Sequence, residues 1–93
     1  MELEANGKKV KIEEPTVEQE EEYIKKSVDI FRNGTNYDAI LALNAYKIDL
    51  LSRLTGLLVA EIKKLPSISV KKALKEVESR FSISTVEAEE IKN

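Results

Sequence analysis

Seventeen Asp and Glu side chains are the most numerous groups in this 93-residue chain that could do acid–base chemistry. Six of the glutamates crowd into residues 13–22 with no basic residue among them. A carboxylate pair serves as general acid and base only where a pocket pushes the two pKa values apart. Nothing in the sequence predicts such a concave site, and the strict ligand spacing of a calcium loop is absent. The simpler reading is a solvated helix start favoured by the helix dipole, with an acidic docking face as the alternative. Other chemistries lose their groups outright. The chain has no histidine, which removes the commonest general base and metal ligand. It has no cysteine, which removes disulfides, thiolate zinc sites and thiol nucleophiles. Gly7, Gly34 and Gly56 stand singly, so no phosphate-cradling loop is present. The expectation is a protein that works by binding, without catalysis, cofactor or metal.

The elements that would position a binding surface follow from local pattern. Residues 1–12, MELEANGKKVKI, alternate apolar and charged around Asn6-Gly7. Asn-Gly suits a type I′ turn, whose two central residues both need φ > 0. That turn sets Ala5 against Lys8, Glu4 against Lys9, Leu3 against Val10, Glu2 against Lys11 and Met1 against Ile12. Opposite charges then share one face, and Met1, Leu3, Val10 and Ile12 share the other. Two strands alone are marginal in water, so helices or another chain must cover that apolar face.

A helix is expected over 16–33. Thr16 and Gln19 have capping-box spacing, Val17, Ile24, Val28 and Phe31 form one apolar stripe, and Asn33-Gly34 is the stop signal. Thr35 with Asp38 predicts the next cap. A long helix over 36–65 follows, with a break or kink expected near Gly56. It carries two apolar stripes, one through Leu41, Ile48 and Leu51, the other through Leu43, Leu50, Leu54 and Leu57. Two stripes imply burial on more than one side, either as the central helix or with a protein contact. Val70, Leu74, Val77 and Phe81 predict a helix over 69–81 after a loop at Ser67–Ser69, and Ser84 to Glu87 predicts a cap for a short helix over 85–92.

The composition bounds this to one domain with 42% apolar and 34% charged residues and a net charge of −2. Neither a signal-peptide layout nor an apolar run near the ~20 residues of a membrane span is present, so a soluble, cytoplasmic protein is expected. The segment Ala73 to Lys92 has the layout of a helix-turn-helix DNA reader. Its second helix would carry Glu87, Glu89 and Glu90 against the single Lys92, and phosphate repulsion opposes docking. Two packed helices are the simpler reading, and no nucleic-acid partner is expected. Residues 61–80 carry a local net charge of +3, from six basic residues that include Lys63, Lys64 and Lys71.

Two passages together carry a family resemblance. The first is Asn6-Gly7-Lys8-Lys9-Val10-Lys11-Ile12, running through Glu13-Glu14 into Pro15-Thr16-Val17. The second is Leu51-Ser52-Arg53-Leu54-Thr55-Gly56-Leu57, followed by Glu61-Ile62 and Leu65-Pro66. In order and spacing, over roughly residues 3–81, they resemble the tail assembly chaperones of long-tailed bacteriophages, in particular those of Mu-like phages. The resemblance implies a phage or prophage protein of the host cytoplasm that coats the tape measure protein and assists recruitment of tail tube subunits. Leu43, Leu50, Leu54 and Leu57, rimmed by Lys63, Lys64 and Lys71, are the candidate partner surface. A small helical adaptor or oligomerising protein is the alternative, and a DNA-binding regulator is a less favoured one. The expected fold is α+β and mostly α: a hairpin, then three or four helices around Leu41, Ile48, Leu51, Val70, Leu74 and Phe81.

Overall fold

The computed structural model describes residues 1–81, and the expected helix over 85–92, with the second half of the helix-turn-helix layout, lies outside them. The chain forms β1 (Glu2–Ala5), β2 (Lys8–Lys11), α1 (Val17–Ile30), α2 (Tyr37–Thr55), α3 (Val59–Lys63) and α4 (Ser67–Ser79). This is the mostly helical α+β fold, with one N-terminal antiparallel hairpin.

The hairpin has the register its sequence predicts, from Ala5↔Lys8 to Glu2↔Lys11. Asn6 and Gly7 take φ of 52° and 81°, the left-handed pair a type I′ turn requires. The ladder continues one step further, where the Ile12 N–H donates to the Met1 carbonyl at 2.8 Å. Leu3 and Ile12 are fully buried among α2 and α4 residues, so the domain's own helices cover the apolar face.

Thr16 and Gln19 make the reciprocal capping box at the start of α1, at 2.9 and 3.1 Å. The helix ends at Ile30, three residues before the expected stop. Phe31 caps it, and Gly34 uses its positive φ of 97° in the connecting turn instead, donating to the Phe31 carbonyl. Asn36, not Thr35, caps α2. Its side-chain oxygen accepts the Ala39 N–H at 2.8 Å, and asparagine ranks among the strongest residues at this position.

The long apolar run is broken after Thr55. Gly56 caps α2 with φ of 81°, Thr55 Oγ1 donates to the Leu51 carbonyl, and the Leu57 N–H donates back to that hydroxyl. α3 then starts with the Glu61 carboxylate accepting the Leu58 N–H at 3.1 Å. Ser67 opens α4 directly after Pro66, so no loop spans Ser67–Ser69.

The core joins Leu3 and Ile12 of the hairpin, Ile48, Leu50, Leu51 and Leu54 of α2, Ile62 of α3, Val70, Ala73, Leu74 and Val77 of α4, and Leu65 and Phe81. Leu41, expected there, is 49% exposed because it lies on the first half of α2, away from these partners. No α1 residue belongs to the apolar core; of its apolar side chains Tyr23 packs against that core, and Glu20 is buried as well.

Candidate protein-binding surface

The apolar side chains of α2 divide across the helix rather than along it. In its C-terminal half both stripes are covered: Ile48 and Leu51 from one, Leu50 and Leu54 from the other. Leu50 is 1% exposed and Leu54 3%, so neither can line an open surface, and the stripe Leu43–Leu50–Leu54–Leu57 is mostly core. Leu57 is half-buried against the same cluster, and Leu43 alone of the four keeps a part in an open groove. The physical reason is crowding. The hairpin, α3 and α4 all gather on the second half of α2, and four buried aliphatics there need cover on several sides.

The first half of α2 is different. Tyr37 is 74% exposed, Ile40 53% and Leu41 49%. Beside them runs a groove of about 170 Å³ lined by Phe31, Ile40, Leu43, Asn44 and Lys47. Ala39 is buried, and Tyr46 stacks obliquely against Tyr23, their centroids 6.1 Å apart. Tyr37, Leu41 and Asn44 also continue, at spacings of four and three, the line that Ile48 and Leu51 follow into the core. The exposed patch is therefore the unfinished end of a core stripe.

The basic rim does not sit with this patch. Lys63, Lys64 and Lys71 are exposed, but they belong to α3, its C-cap and α4, and none of them lines the groove. Leu43 lies about 18 Å along the helix from Thr55 at a rise of 1.5 Å per residue. The groove brings Leu43 together with Ile40, and none of the three lysines lines it. Tyr37 and Ile40 are the surface residues the sequence reading missed. Their signal was position: they follow the Gly34–Asn36 turn, at the tip of an αα-hairpin where few neighbours can reach.

A polar network at the base of the α1–α2 hairpin fixes how the tip is presented. The Tyr23 hydroxyl donates to the Glu78 carboxylate at 3.1 Å, and Lys47 pairs with the same carboxylate at 2.8 Å. Arg53 bridges Glu22 of α1 and Asp49 of its own helix, and these two carboxylates raise its pKa further. Burial, and then the Glu78 charge, raise the Tyr23 phenol well above its ordinary range. Burial pushes Tyr46 up to about 12, with Glu22 adding to the shift. The Tyr46 hydroxyl is shut off from solvent and makes no hydrogen bond of good geometry, although the Glu22 charge reaches it.

A second cleft, of about 250 Å³, lies between the hairpin and α4, lined by Glu2, Glu4 and Glu76 together with Lys9 and Lys72. Charges of both signs in one cleft offset one another and select no single ion. Among the described residues no cluster of three or more acidic side chains could hold a metal, and no helix is long and apolar enough to cross a membrane. No family model, curated protein or solved structure matches the chain.

Proposed function

We propose that the chain is a protein-binding module that acts as a phage or prophage tail assembly chaperone, holding the tape measure protein and assisting tail tube assembly in the host cytoplasm. The observation that supports this reading is the open apolar tip of Tyr37, Ile40 and Leu41 beside the Phe31–Leu43 groove. A tape measure protein is a long helical chain whose apolar faces self-associate before assembly. An amphipathic helix of such a chain docks through residues at i, i+3 or i+4 spacing into a groove between two helices. The resemblance carried by the Gly-Lys hairpin, Pro15-Thr16-Val17 and Leu54-Thr55-Gly56-Leu57 supplies the identity of the partner. Those motifs coincide with structural joints: the turn, the α1 cap and the α2 break.

Co-expression with a tape measure fragment tests the reading. Wild-type protein should hold the fragment soluble and co-purify with it, and Leu41→Glu should lose the complex while keeping its helical circular dichroism. A fragment equally insoluble with and without the protein would reject the chaperone function. A complex indifferent to Leu41→Glu would reject the surface. In a gel-shift assay at physiological salt, no DNA binding is expected.

A further inference from the structure

The face of α1 that its sequence predicts as the buried one is open at both ends. Val17 is 68% exposed and Val28 59%, whereas Ile24 and Phe31 between and beyond them are half-buried. The helix instead turns Glu20, Tyr23 and Ser27 inward, with Glu20 buried and partnered. The apolar line Val17–Ile24–Val28–Phe31 thus runs the length of a helix about 21 Å long, and this chain covers it only in part, at Ile24 and Phe31.

The charges beside that line are arranged by end. Glu18 and Glu21 flank its N-terminal half, and Lys25 and Arg32 its C-terminal half, all four exposed. Arg32 already pairs with Asp29 at 2.8 Å, whereas Lys25 forms no ion pair among the described residues. A second α1 laid parallel would set glutamate against glutamate. Laid antiparallel about Ile24, it sets Glu21 near Lys25 of the other copy and Glu18 near Arg32. The same alignment places Val17 beside the other copy's Phe31 and Ile24 beside its equivalent. One two-fold axis thus satisfies the charge pairs and the Ile24 and Val17–Phe31 contacts, with Val28 packing between Ile24 and Glu21 of the other copy, as an isologous interface requires.

We propose that this surface is a self-association site: two copies of the chain pair through antiparallel α1 helices. The contact shares Phe31 with the groove beside α2, and it leaves Tyr37, Ile40 and Leu41 available. A single helix pair buries less than the ~800 Å² per partner of a standard stable interface, so the dimer is weak and concentration-dependent.

Sedimentation equilibrium on the full chain between about 10 µM and about 1 mM resolves association in this affinity range. A monomer–dimer equilibrium is expected, weakening as salt is raised. Val28→Glu should raise the dimer Kd by about tenfold or more, since it puts a charge where an apolar contact forms. Because Val28 is not a core residue, the monomer should keep its helical signal. Glu21→Lys should raise Kd about threefold, and Glu21→Lys with Lys25→Glu should bring it back, because the swapped charges still oppose each other across the axis. A chain that stays monomeric at the highest concentration overturns the proposal. So does a dimer that ignores Val28→Glu, strengthens with salt, or fails to recover in the charge swap.

Discussion

Two tyrosines one helix apart should respond oppositely to loss of the hydroxyl. Tyr23 donates to Glu78, a charge-assisted bond that also orients Lys47. Tyr23→Phe removes that bond and should destabilise the domain by about 1–2 kcal/mol. The Tyr46 hydroxyl is sealed from solvent and, although Glu22 lies near it, makes no hydrogen bond of good geometry, so Tyr46→Phe should be neutral or stabilise by up to about 1 kcal/mol. Urea melts of the two variants decide this, and a loss of stability in Tyr46→Phe would show that its hydroxyl is satisfied. The same groups set the alkaline limit. Folding raises both phenols above 10.0, so the folded state holds their protons more tightly than the unfolded chain. Their contribution is complete below that pH and is lost as pH rises through it towards about 12 for Tyr46 and beyond for Tyr23. Stability should therefore be level up to about pH 9 and fall above about pH 10, less steeply in Tyr23→Phe than in wild type.

At the scale of elements, what was legible in the sequence was whatever local chemistry decides. The hairpin register follows from Asn6-Gly7 and a period of two, and the α1 start from Thr16 and Gln19. The break at Gly56 follows from a residue that takes φ of 81° without strain. Gly56→Ala should cost about 1 kcal/mol, measured as a lower urea midpoint at unchanged slope, although a Cβ there meets no neighbour within 4 Å. An unchanged midpoint would mean that the cap relaxes. What was not legible was the choice among competing faces. The apolar period of α1 favours Val17, Ile24 and Val28 as the inward line, but the Tyr23–Glu78 and Glu22–Arg53 contacts and the Tyr23 ring against Phe81, centroids 4.9 Å apart, turn a polar face inward. Asn36 displaced Thr35 as cap through a one-residue difference in backbone that composition does not reveal. In α2 both stripes are equally apolar, and only the positions of the hairpin, α3 and α4 decide that Leu50 and Leu54 are covered while Leu41 is not.

For the whole molecule, these elements separate two jobs. Hairpin, second half of α2, α3 and α4 share one core, which includes the fully buried Leu3, Leu51 and Val77. The α1–α2 hairpin projects from it on a mainly polar base, and its tip presents Tyr37, Ile40 and Leu41. Binding at the tip should therefore add stability by mass action without rearranging the core. The basic residues Lys63, Lys64 and Lys71 line no part of the groove and should matter little to an apolar contact at the tip. Amide hydrogen exchange of the protein alone and in complex with a tape measure fragment tests this division most directly. New protection should concentrate in residues 31–47, with exchange around Lys63, Lys64 and Lys71 unchanged. Protection confined to those lysines, with residues 31–47 exchanging as in the free protein, would contradict it.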